Sequence, residues 1–211
     1  MLRDISVALG PATPEWPGDT RFSCLWTWSM RDGASVNVSS IHTSPHVGTH
    51  ADAPLHVRDG WTASHELPLD AFSGRALVCT VRGGAEEVGL AELGGLAGAG
   101  RVERLLLRTG RGIAGMHFPD TWPTLAPAAV RALLARGLVL LGVDAPSVDP
   151  RESKTLEVHR LLFEGGANVL ENLDLRDVPE GEYELIAYPI KVHGLDAAPV
   201  RAVLRDLQPS H

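Results

Sequence analysis

The segment Pro127 to Val143 reads PAAVRALLARGLVLLGV and carries a clear secondary-structure signal. Its first ten residues begin with proline, consist mainly of alanine, leucine and arginine, and are followed by Gly137. This pattern predicts a helix from Pro127 to Arg136. Leu138 to Val143 is then a short apolar run of the kind that forms a buried strand. A helix that leads directly into a buried strand is typical of an α/β protein.

Segments on both sides of this helix–strand unit predict further elements. Strands or extended arms are predicted at Phe22 to Met30 and Ala34 to Ile41. Buried strands are predicted at Ala76 to Val81, Arg104 to Arg108 and Tyr183 to Pro189. Helices are predicted at Leu90 to Leu96 and Ser153 to Glu164. Gly110 to Pro123 is too irregular for either element and predicts a functional lid or a mobile loop. The expected assembly is a mixed sheet with a few flanking helices.

The composition is that of an ordinary globular protein. The chain has 211 residues, 44% of them hydrophobic, which predicts one domain over residues 1–211. Because 19 basic residues face 26 acidic ones and no basic cluster occurs, nucleic acid is not an expected partner. The N-terminal residues lack the apolar stretch of a signal peptide, and no apolar run reaches membrane-spanning length, so we expect a cytoplasmic protein that does not bind membranes.

The strongest chemical signal is a cluster of metal-binding residue types. His46, His50, Asp52 and His56 fall within eleven residues. Imidazole and carboxylate are the ligands that zinc and similar ions prefer when cysteine is absent. The two cysteines of the chain lie far apart and indicate neither a disulfide nor a thiolate site. A catalytic metal site needs about three protein ligands and an open position for water, and this cluster supplies enough groups for one.

The local backbone of this cluster is not expected to be helical. His46 and His50 are four residues apart, which would place both rings on one face of a helix. Gly48 and Pro54 argue against a helix at this point. A strand joined to a tight turn at Gly48 is therefore predicted to bring the two imidazoles together, with Asp52 approaching from the same side.

Two further candidates lie far along the chain. His159 stands among leucines of a predicted helix, where a packed, half-buried histidine is the commoner outcome. Glu171 ends an apolar segment, where a carboxylate often only caps or pairs. The remaining histidines are interpreted as surface or loop residues: His42, His65, His117 and His193. Of these, His117 is the best placed to approach the site, because it lies in the long irregular loop.

The motif HVGTHADAPLH at 46–56 resembles the signature of the cyclase-like metal-dependent hydrolases. Flanking segments resemble more specifically the bacterial kynurenine formamidases, or arylformamidases, within that family. These segments are WPGDT at 16–20, VNVS at 36–39, GVDAPSVDP at 142–150 and YELIAYP at 183–189. The similarity extends over nearly the whole chain.

The resemblance implies a site with two zinc ions, with manganese as an alternative metal. The implied ligands are His46, His50 and Asp52 for one ion, and Asp52, His159 and Glu171 for the other. Asp52 would therefore bridge the two ions. The resemblance also implies that His56 transfers protons and that Trp16 lines the substrate pocket, where an aromatic face can stack on an aryl ring. The family's fold implies a β-rich α/β domain of the swivelling type with an extended N-terminal arm. The family usually forms a dimer or a larger assembly, and a homodimer is expected here.

The implied reaction is hydrolysis of N-formyl-L-kynurenine to L-kynurenine and formate, a step of tryptophan degradation by the kynurenine pathway. Two alternatives stay open: a related hydrolase that opens a cyclic amide such as isatin, and a non-catalytic metal-binding protein. His56 separates the second alternative from an enzyme, because a structural metal site gains nothing from an uncoordinated histidine. Alternatively, His56 is itself a third ligand or orients Asp52.

The sequence also leaves open how the amino-acid part of such a substrate is bound. Lys154, Arg160 and Arg176 are candidates for pairing with its carboxylate, and no feature of the sequence favours one of them.

Overall fold

A mixed nine-stranded sheet organises the structure, a computed structural model that describes residues 1–84, 86–94, 96 and 100–207. Within these residues the strands are β1 (Leu2–Asp4), β2 (Ser23–Trp28), β3 (Val38–His42), β4 (His50–Asp52), β5 (Ser73–Thr80), β6 (Glu87–Val88), β7 (Arg104–Arg108), β8 (Thr124–Leu125), β9 (Leu140–Val143), β10 (Asn168–Glu171), β11 (Gly181–Ile186), β12 (Ala197–Pro199) and β13 (Val203–Asp206). The α-helices are α1 (Pro127–Ala135) and α2 (Glu157–Glu164). Short 3-10 helices lie at Met30–Asp32, Pro54–His56, Ser64–Glu66, Leu69–Phe72, Leu90–Glu92 and Ile113–Gly115.

The large sheet has a parallel centre and antiparallel flanks. Its strand order is β1-β13-β11-β5-β7-β9-β10-β4-β12. Strands β5, β7, β9 and β10 run parallel to their neighbours in this set. At one flank, β4 lies between β10 and β12 and is antiparallel to both, so that Val169 and Ala197 stand on either side of Asp52. This mixed sheet confirms the α/β fold predicted from the sequence.

Alternation along the central strands divides the core between the two faces of the sheet. Leu105 and Leu107 of β7 pack on one face, and Leu106 packs on the other. The helices cover the first face through side chains such as Leu133 of α1 and Leu162 of α2, both fully buried. Because both faces of the parallel centre are covered, its strands appear in the sequence as continuous apolar runs.

Most of the predicted strands are confirmed, with ends that differ by up to four residues. The predicted segments at 76–81, 104–108, 138–143 and 183–189 correspond to β5, β7, β9 and β11, and the two N-terminal segments correspond to β2 and β3. The helix predicted at Leu90 to Leu96 is wrong. Only Leu90–Glu92 forms a 3-10 turn, because Leu93 pairs instead with Val81 in a β-bridge; residue 95 lies outside the described residues.

Helix α1 confirms the prediction from proline at its start and glycine at its end. Gly137 has a φ of 89°, in the left-handed region that glycine adopts without strain. Its N–H donates to the Leu134 carbonyl at 2.9 Å, and the Leu138 N–H donates to the Leu133 carbonyl at 3.2 Å. This paired arrangement satisfies the last carbonyls of the helix and turns the chain into β9.

Helix α2 begins four residues later than predicted, so the expected start at Ser153 is wrong. The Ser153 hydroxyl accepts a hydrogen bond from the Leu156 N–H at 3.0 Å, which forms a turn before the helix. The helix itself is capped by Asp149, whose carboxylate accepts from the N–H groups of Val158 at 2.9 Å and His159 at 3.0 Å. A carboxylate at this end also complements the helix dipole.

The predicted N-terminal arm is a hairpin of β2 and β3 that packs against little of the chain. Leu25, Trp26, Trp28 and Ile41 are each at least 60% exposed. None of the helices in the described part of the chain is long and apolar enough to cross a membrane. The single domain over residues 1–211 stays a prediction.

The irregular loop at 110–123 is anchored to the core. Ile113 and Trp122 are buried, and the indole N–H of Trp122 donates to the Asp149 carbonyl at 3.0 Å. Gly112 lies directly against the backbone carbonyl of Asp144, leaving no space for a Cβ atom. The glycine is therefore required for the close approach of this loop to the end of β9.

Gly112→Ala should destabilise the protein by about 1–3 kcal/mol, because the added methyl group meets backbone rather than a side chain that can move. Urea denaturation followed by circular dichroism measures the change. Gly10→Ala is the matched control, since a Cβ at Gly10 has no neighbour within 4 Å. Equal unfolding midpoints for the two variants would contradict the steric argument.

Candidate active site

Strand β4 brings the first candidate residues together. His50 and Asp52 are two positions apart on a strand, so their side chains project to the same face. Ala51 between them projects to the other face of the sheet and packs in the core cluster that contains Leu106. Glu171 stands opposite His50 in the register of β10 and projects to the same face. His46 precedes β4 in a turn at Gly48, where a φ of 74° favours glycine and where a Cβ would overlap the Leu9 side chain.

The turn–strand geometry agrees with the non-helical backbone predicted for this motif. His159 reaches the same point from the first turn of α2. Asp52 is 0% exposed, His50 and His159 are each 1% exposed, and Glu171 is 3% exposed. Such burial of ionisable groups is costly unless they are paired or bind a cation.

One group of atoms surrounds Oδ1 of Asp52. Nδ1 of His46 lies 3.1 Å from it and Nε2 of His50 lies 3.2 Å from it, while the two nitrogens are 3.3 Å apart. A tetrahedral zinc ion with bonds of about 2.0–2.1 Å separates its ligands by about 3.3 Å. The spacing therefore fits ligands of one ion.

A second group surrounds the other oxygen of Asp52. Nε2 of His159 lies 3.0 Å from Oδ2 of Asp52 and 3.2 Å from Oε1 of Glu171. Oε2 of Glu171 lies 3.6 Å from Nε2 of His50, in the first group. Asp52 thus has one oxygen in each group, and Glu171 spans them in the same way. The structure brings together all five sequence-predicted metal ligands.

The outer hydrogen bonds of the histidines determine which nitrogens can carry lone pairs into these groups. His50 has Nδ1 2.9 Å from the Gly48 carbonyl, which can only accept. His159 has Nδ1 2.7 Å from the Asp149 carboxylate, and His46 has Nε2 2.9 Å from the Asp196 carboxylate. In the neutral rings these outer nitrogens are the donors. The inner nitrogens then present lone pairs.

Lone pairs of nitrogen and carboxylate oxygen therefore meet at both groups, and lone pairs repel without a proton or cation between them. In agreement with this reading, Oδ1 of Asp52 is buried and has no hydrogen-bond partner. His50, Asp52 and Glu171 have ligand atoms within 4.8 Å of one another, and so do His46, Asp52 and His56. The donor set of imidazoles and carboxylates fits a divalent metal cofactor.

The pKa values of His46, His50 and Asp52 reflect how closely the imidazoles and the carboxylate approach one another. Burial alone would lower the pKa of His46 and His50, but the Asp52 carboxylate raises them to about 10 and about 9. Although burial alone would raise the pKa of Asp52, His50 and His46 hold it well below its usual range. A metal ion must therefore displace protons from this site when it binds at neutral pH.

These shifts also give the direction of the pH dependence of the metal-free fold. His46 and His50 have higher pKa values in the folded chain than the ordinary value of 6.5. Their stabilising contribution is complete below about pH 6.5 and is lost as the pH rises through 9 and 10.

His56 lies beside these two groups of candidate metal ligands, on the 3-10 helix that follows β4. Its ring centroid is 4.5 Å from that of His46 and 5.8 Å from that of His159. Nδ1 of His56 lies 3.2 Å from Oδ2 of Asp196, the oxygen that also contacts His46. With Nδ1 directed to Asp196, Nε2 is the nitrogen left for contact with a bound molecule.

A cavity of about 300 Å³ opens over these residues. His46, His50, His56, His159 and Glu171 line it on the polar side. The other lining residues are Pro14, Trp16, Asp19, Phe118, Pro146, Ser147, Leu156 and Asn172. The Trp16 ring meets the rings of Phe118 and Trp122 edge to face, at centroid distances of 5.4 and 5.9 Å. The predicted pocket residue Trp16 therefore lies at the aromatic wall of the cavity.

Several other sequence candidates lie away from the cavity. His117 is exposed and does not line it; the neighbouring Phe118 does. Arg160 donates to the carbonyls of Thr155 and Val57, and Arg176 pairs with Asp174. Lys154 is not among the lining residues either.

Sequence reasoning missed four residues of this region: Asp149, Asp196, Phe118 and Asn172. Asp149 and Asp196 are the outer partners of His159 and His46. Their contacts with these histidines span 10 and 150 positions, and the sequence does not indicate which histidine each carboxylate contacts. Asn172 has a φ of 57° and a buried amide oxygen without a partner. Its position directly after Glu171 is the only local signal.

Comparison with known proteins agrees with this geometry. The model of the Cyclase family matches residues 3–150. The chain is 47% identical over 209 residues to a kynurenine formamidase of Salinibacter ruber, covering 97% of each chain. It is 44% identical over 206 residues to a kynurenine formamidase of Bordetella pertussis, covering 98% of each chain.

Solved structures show the same fold. A potential metal-dependent hydrolase with cyclase activity superposes with a TM-score of 0.84 at 26% identity, covering 99% of each chain. Isatin hydrolase A of Labrenzia aggregata superposes with a TM-score of 0.81 at 26% identity, covering 99% of this chain and 94% of the other. Hydrolase relatives of this kind and the local donor set both support a metal cofactor.

Asp52→Ala should weaken metal binding by about 100-fold or more, because it removes an oxygen from each of the two groups; losing an outer partner alone typically costs about 10–100-fold. Metal content after dialysis, measured by inductively coupled plasma mass spectrometry, checks this. Asp206→Ala is the control, since Asp206 pairs with Arg3 far from β4. Full metal content in Asp52→Ala would rule out the bridging role.

Proposed function

The chain belongs to the Cyclase family, and from this premise we propose that it is a metal-dependent amide hydrolase that converts N-formyl-L-kynurenine to L-kynurenine and formate. The observation that carries the proposal is a buried cluster of candidate metal ligands in a cavity that is also lined by His56 and by an aromatic wall. The proposed substrate is taken from the two kynurenine formamidases, which are 47% and 44% identical to this chain over nearly its full length.

The cavity offers separate surfaces for the two ends of this substrate. The formamide is directed to the ligand cluster, and the aryl ring packs against Trp16 and Phe118. A volume of about 300 Å³ is at the lower end of the range typical of ligand sites, which suits a single aromatic amino acid. Asp19, at the Trp16 side of the cavity, is available to the ammonium group of such a substrate.

The metal cofactor is proposed to be two zinc ions. His46, His50 and Asp52 would hold one ion, and Asp52, His159 and Glu171 would hold the other, with Asp52 as the bridge. When bound, the ions polarise the formyl oxygen and lower the pKa of water to about 7. Manganese is the alternative, because sites of this donor type accept several divalent ions.

His56 is proposed to transfer the proton. Hydrolysis requires a proton to leave the attacking water and a proton to reach the aniline nitrogen as the C–N bond breaks. A histidine can do both near neutral pH, and Nε2 of His56 is free on the cavity side. The products are the free aromatic amine and formate.

Two other functions compete with this one. Opening of a cyclic amide such as isatin would use the same ligands, and an isatin hydrolase shares the fold. The higher identity to the kynurenine formamidases favours the formamide. A non-catalytic metal-binding protein is disfavoured by the open cavity beside the ligands and by the position of His56, which lines this cavity while its Nδ1 contacts Asp196.

A homodimer is proposed as the assembly, with the hairpin of β2 and β3 as its contact surface. An isolated two-stranded hairpin is at best marginally stable in water. Its exposed Leu25, Trp26 and Trp28 are the residue types that interfaces bury. Sedimentation equilibrium measures this assembly, and a monomer would overturn it. The cytoplasmic location stays a prediction.

The purified wild-type protein, supplied with zinc, should hydrolyse N-formyl-L-kynurenine faster than isatin, followed by release of the aromatic amine. Exhaustive chelation should abolish turnover, and added metal should restore it, because the site would then lack the polarisation of the formyl oxygen and the lowered pKa of water that a bound metal would supply. Faster turnover of isatin would overturn the formamidase assignment. Undiminished turnover after chelation would overturn metal dependence.

His56→Ala should retain its metal and lose about 100-fold or more in kcat, the contribution usual for a general acid or base. Steady-state kinetics and metal analysis on the same sample test both parts. His117→Ala, which changes an exposed histidine outside the cavity, should retain wild-type kinetics. Loss of metal in His56→Ala would make His56 a ligand instead.

A further inference from the structure

We propose that Asp196 is a positioning residue that holds the ring of His56 for proton transfer and, with the same oxygen, holds the ring of His46. This inference rests on the proposed function, because it takes His56 as the group that moves the proton. Asp196 itself does not line the cavity, so it acts through the two histidines.

The geometry at Asp196 carries the inference. Oδ2 lies 2.9 Å from Nε2 of His46 and 3.2 Å from Nδ1 of His56. The centroids of the two rings are 4.5 Å apart, and the ring planes are tilted by 45°. A carboxylate can only accept, so each ring directs an N–H at the same oxygen. The tautomers of both rings are therefore set by one atom.

Each tautomer has a different consequence. For His46, an N–H on Nε2 leaves the lone pair on Nδ1, which faces Asp52 and His50. For His56, an N–H on Nδ1 leaves Nε2 free on the cavity side. Without this acceptor, the His56 ring could turn about its side-chain bonds and exchange its tautomer, and the free nitrogen would no longer point at the substrate.

The backbone fixes Asp196 for this role. Asp196 directly precedes β12, whose Ala197 pairs with Asp52 of β4. The Asp196 carbonyl accepts from the Ala53 N–H at 2.8 Å, immediately before the 3-10 helix that carries His56. The hydrogen bond between Ala53 and Asp196 therefore fixes the backbone of Asp196 close to the start of the helix that carries His56. The Asp196 side chain is 41% exposed, so its burial contributes little to the core.

A double-mutant cycle tests the proposal, with Asp196→Ala, His56→Ala and the double variant assayed at saturating zinc. Asp196→Ala should lose about 10–100-fold in kcat with KM within about threefold, part of what general acid–base catalysis contributes. In the His56→Ala background, the same change should cost less than about threefold. Asp196→Asn keeps a carbonyl acceptor and should recover most of the rate.

The control is Asp206→Ala, which removes a carboxylate of similar exposure, 37%, from β13. The kcat of this variant should equal that of the wild-type protein. Metal content and thermal unfolding are measured for every variant. Equal losses in the wild-type and His56→Ala backgrounds would overturn the proposal, because Asp196 would then act independently of His56. Recovery of the Asp196→Ala rate by excess zinc alone would also overturn it, assigning Asp196 to His46 only.

Failure of the proposed function gives a different result from failure of this inference. If the wild-type protein opens isatin but leaves N-formyl-L-kynurenine intact, the substrate assignment is overturned. The double-mutant cycle is then measured with isatin as the substrate, and the same outcomes decide the role of Asp196. Wild-type protein inactive on both would overturn both proposals. Active wild-type protein with a normal Asp196→Ala variant would overturn only the role of Asp196.

Discussion

The carboxylate of Asp52, completely buried and contacted by three imidazole rings, is the constraint on which the rest of the structure depends. A charge removed from water is tolerated only if other groups compensate for it. In their neutral forms, the nearest imidazoles direct their hydrogens elsewhere, so the charge is compensated either by protons on His46 and His50 or by a cation that displaces those protons. The outer carbonyl and carboxylate partners are thus as much a part of the site as the ligands.

The sheet provides the precision that this arrangement requires. Strand β4 is only three residues long, yet it is hydrogen-bonded on both sides, by β10 and by β12. These neighbours place Glu171 and Asp196 on either side of the histidine motif. The two helices contribute differently: α1 covers the core, whereas α2 brings His159 into the site and is capped by the carboxylate that orients that ring.

A structural feature could be predicted from the sequence when the residues that determine it lie close together along the chain. The motif at 46–56 was recognisable because four chemical groups fall within one short segment, and α1 because its proline and glycine signals are adjacent to it. The start of α2 was wrong because its cap, Asp149, lies outside the segment. The helix at 90–96 was wrong because a β-bridge to Val81 overrides local preference. The role of Asp196 could not be predicted, because its partners His56 and His46 are 140 and 150 positions away in the sequence.

The distribution of these residues along the chain has a consequence for biosynthesis. His46, His50 and Asp52 leave the ribosome before the residues that complete the site, because Glu171 follows them by more than one hundred residues and Asp196 comes later still. A growing chain therefore carries an incomplete set of chelating groups until Glu171 has been added. The full set of groups comes together only once β10 and β12 have both paired with β4, so a completed site reports that this part of the sheet has formed.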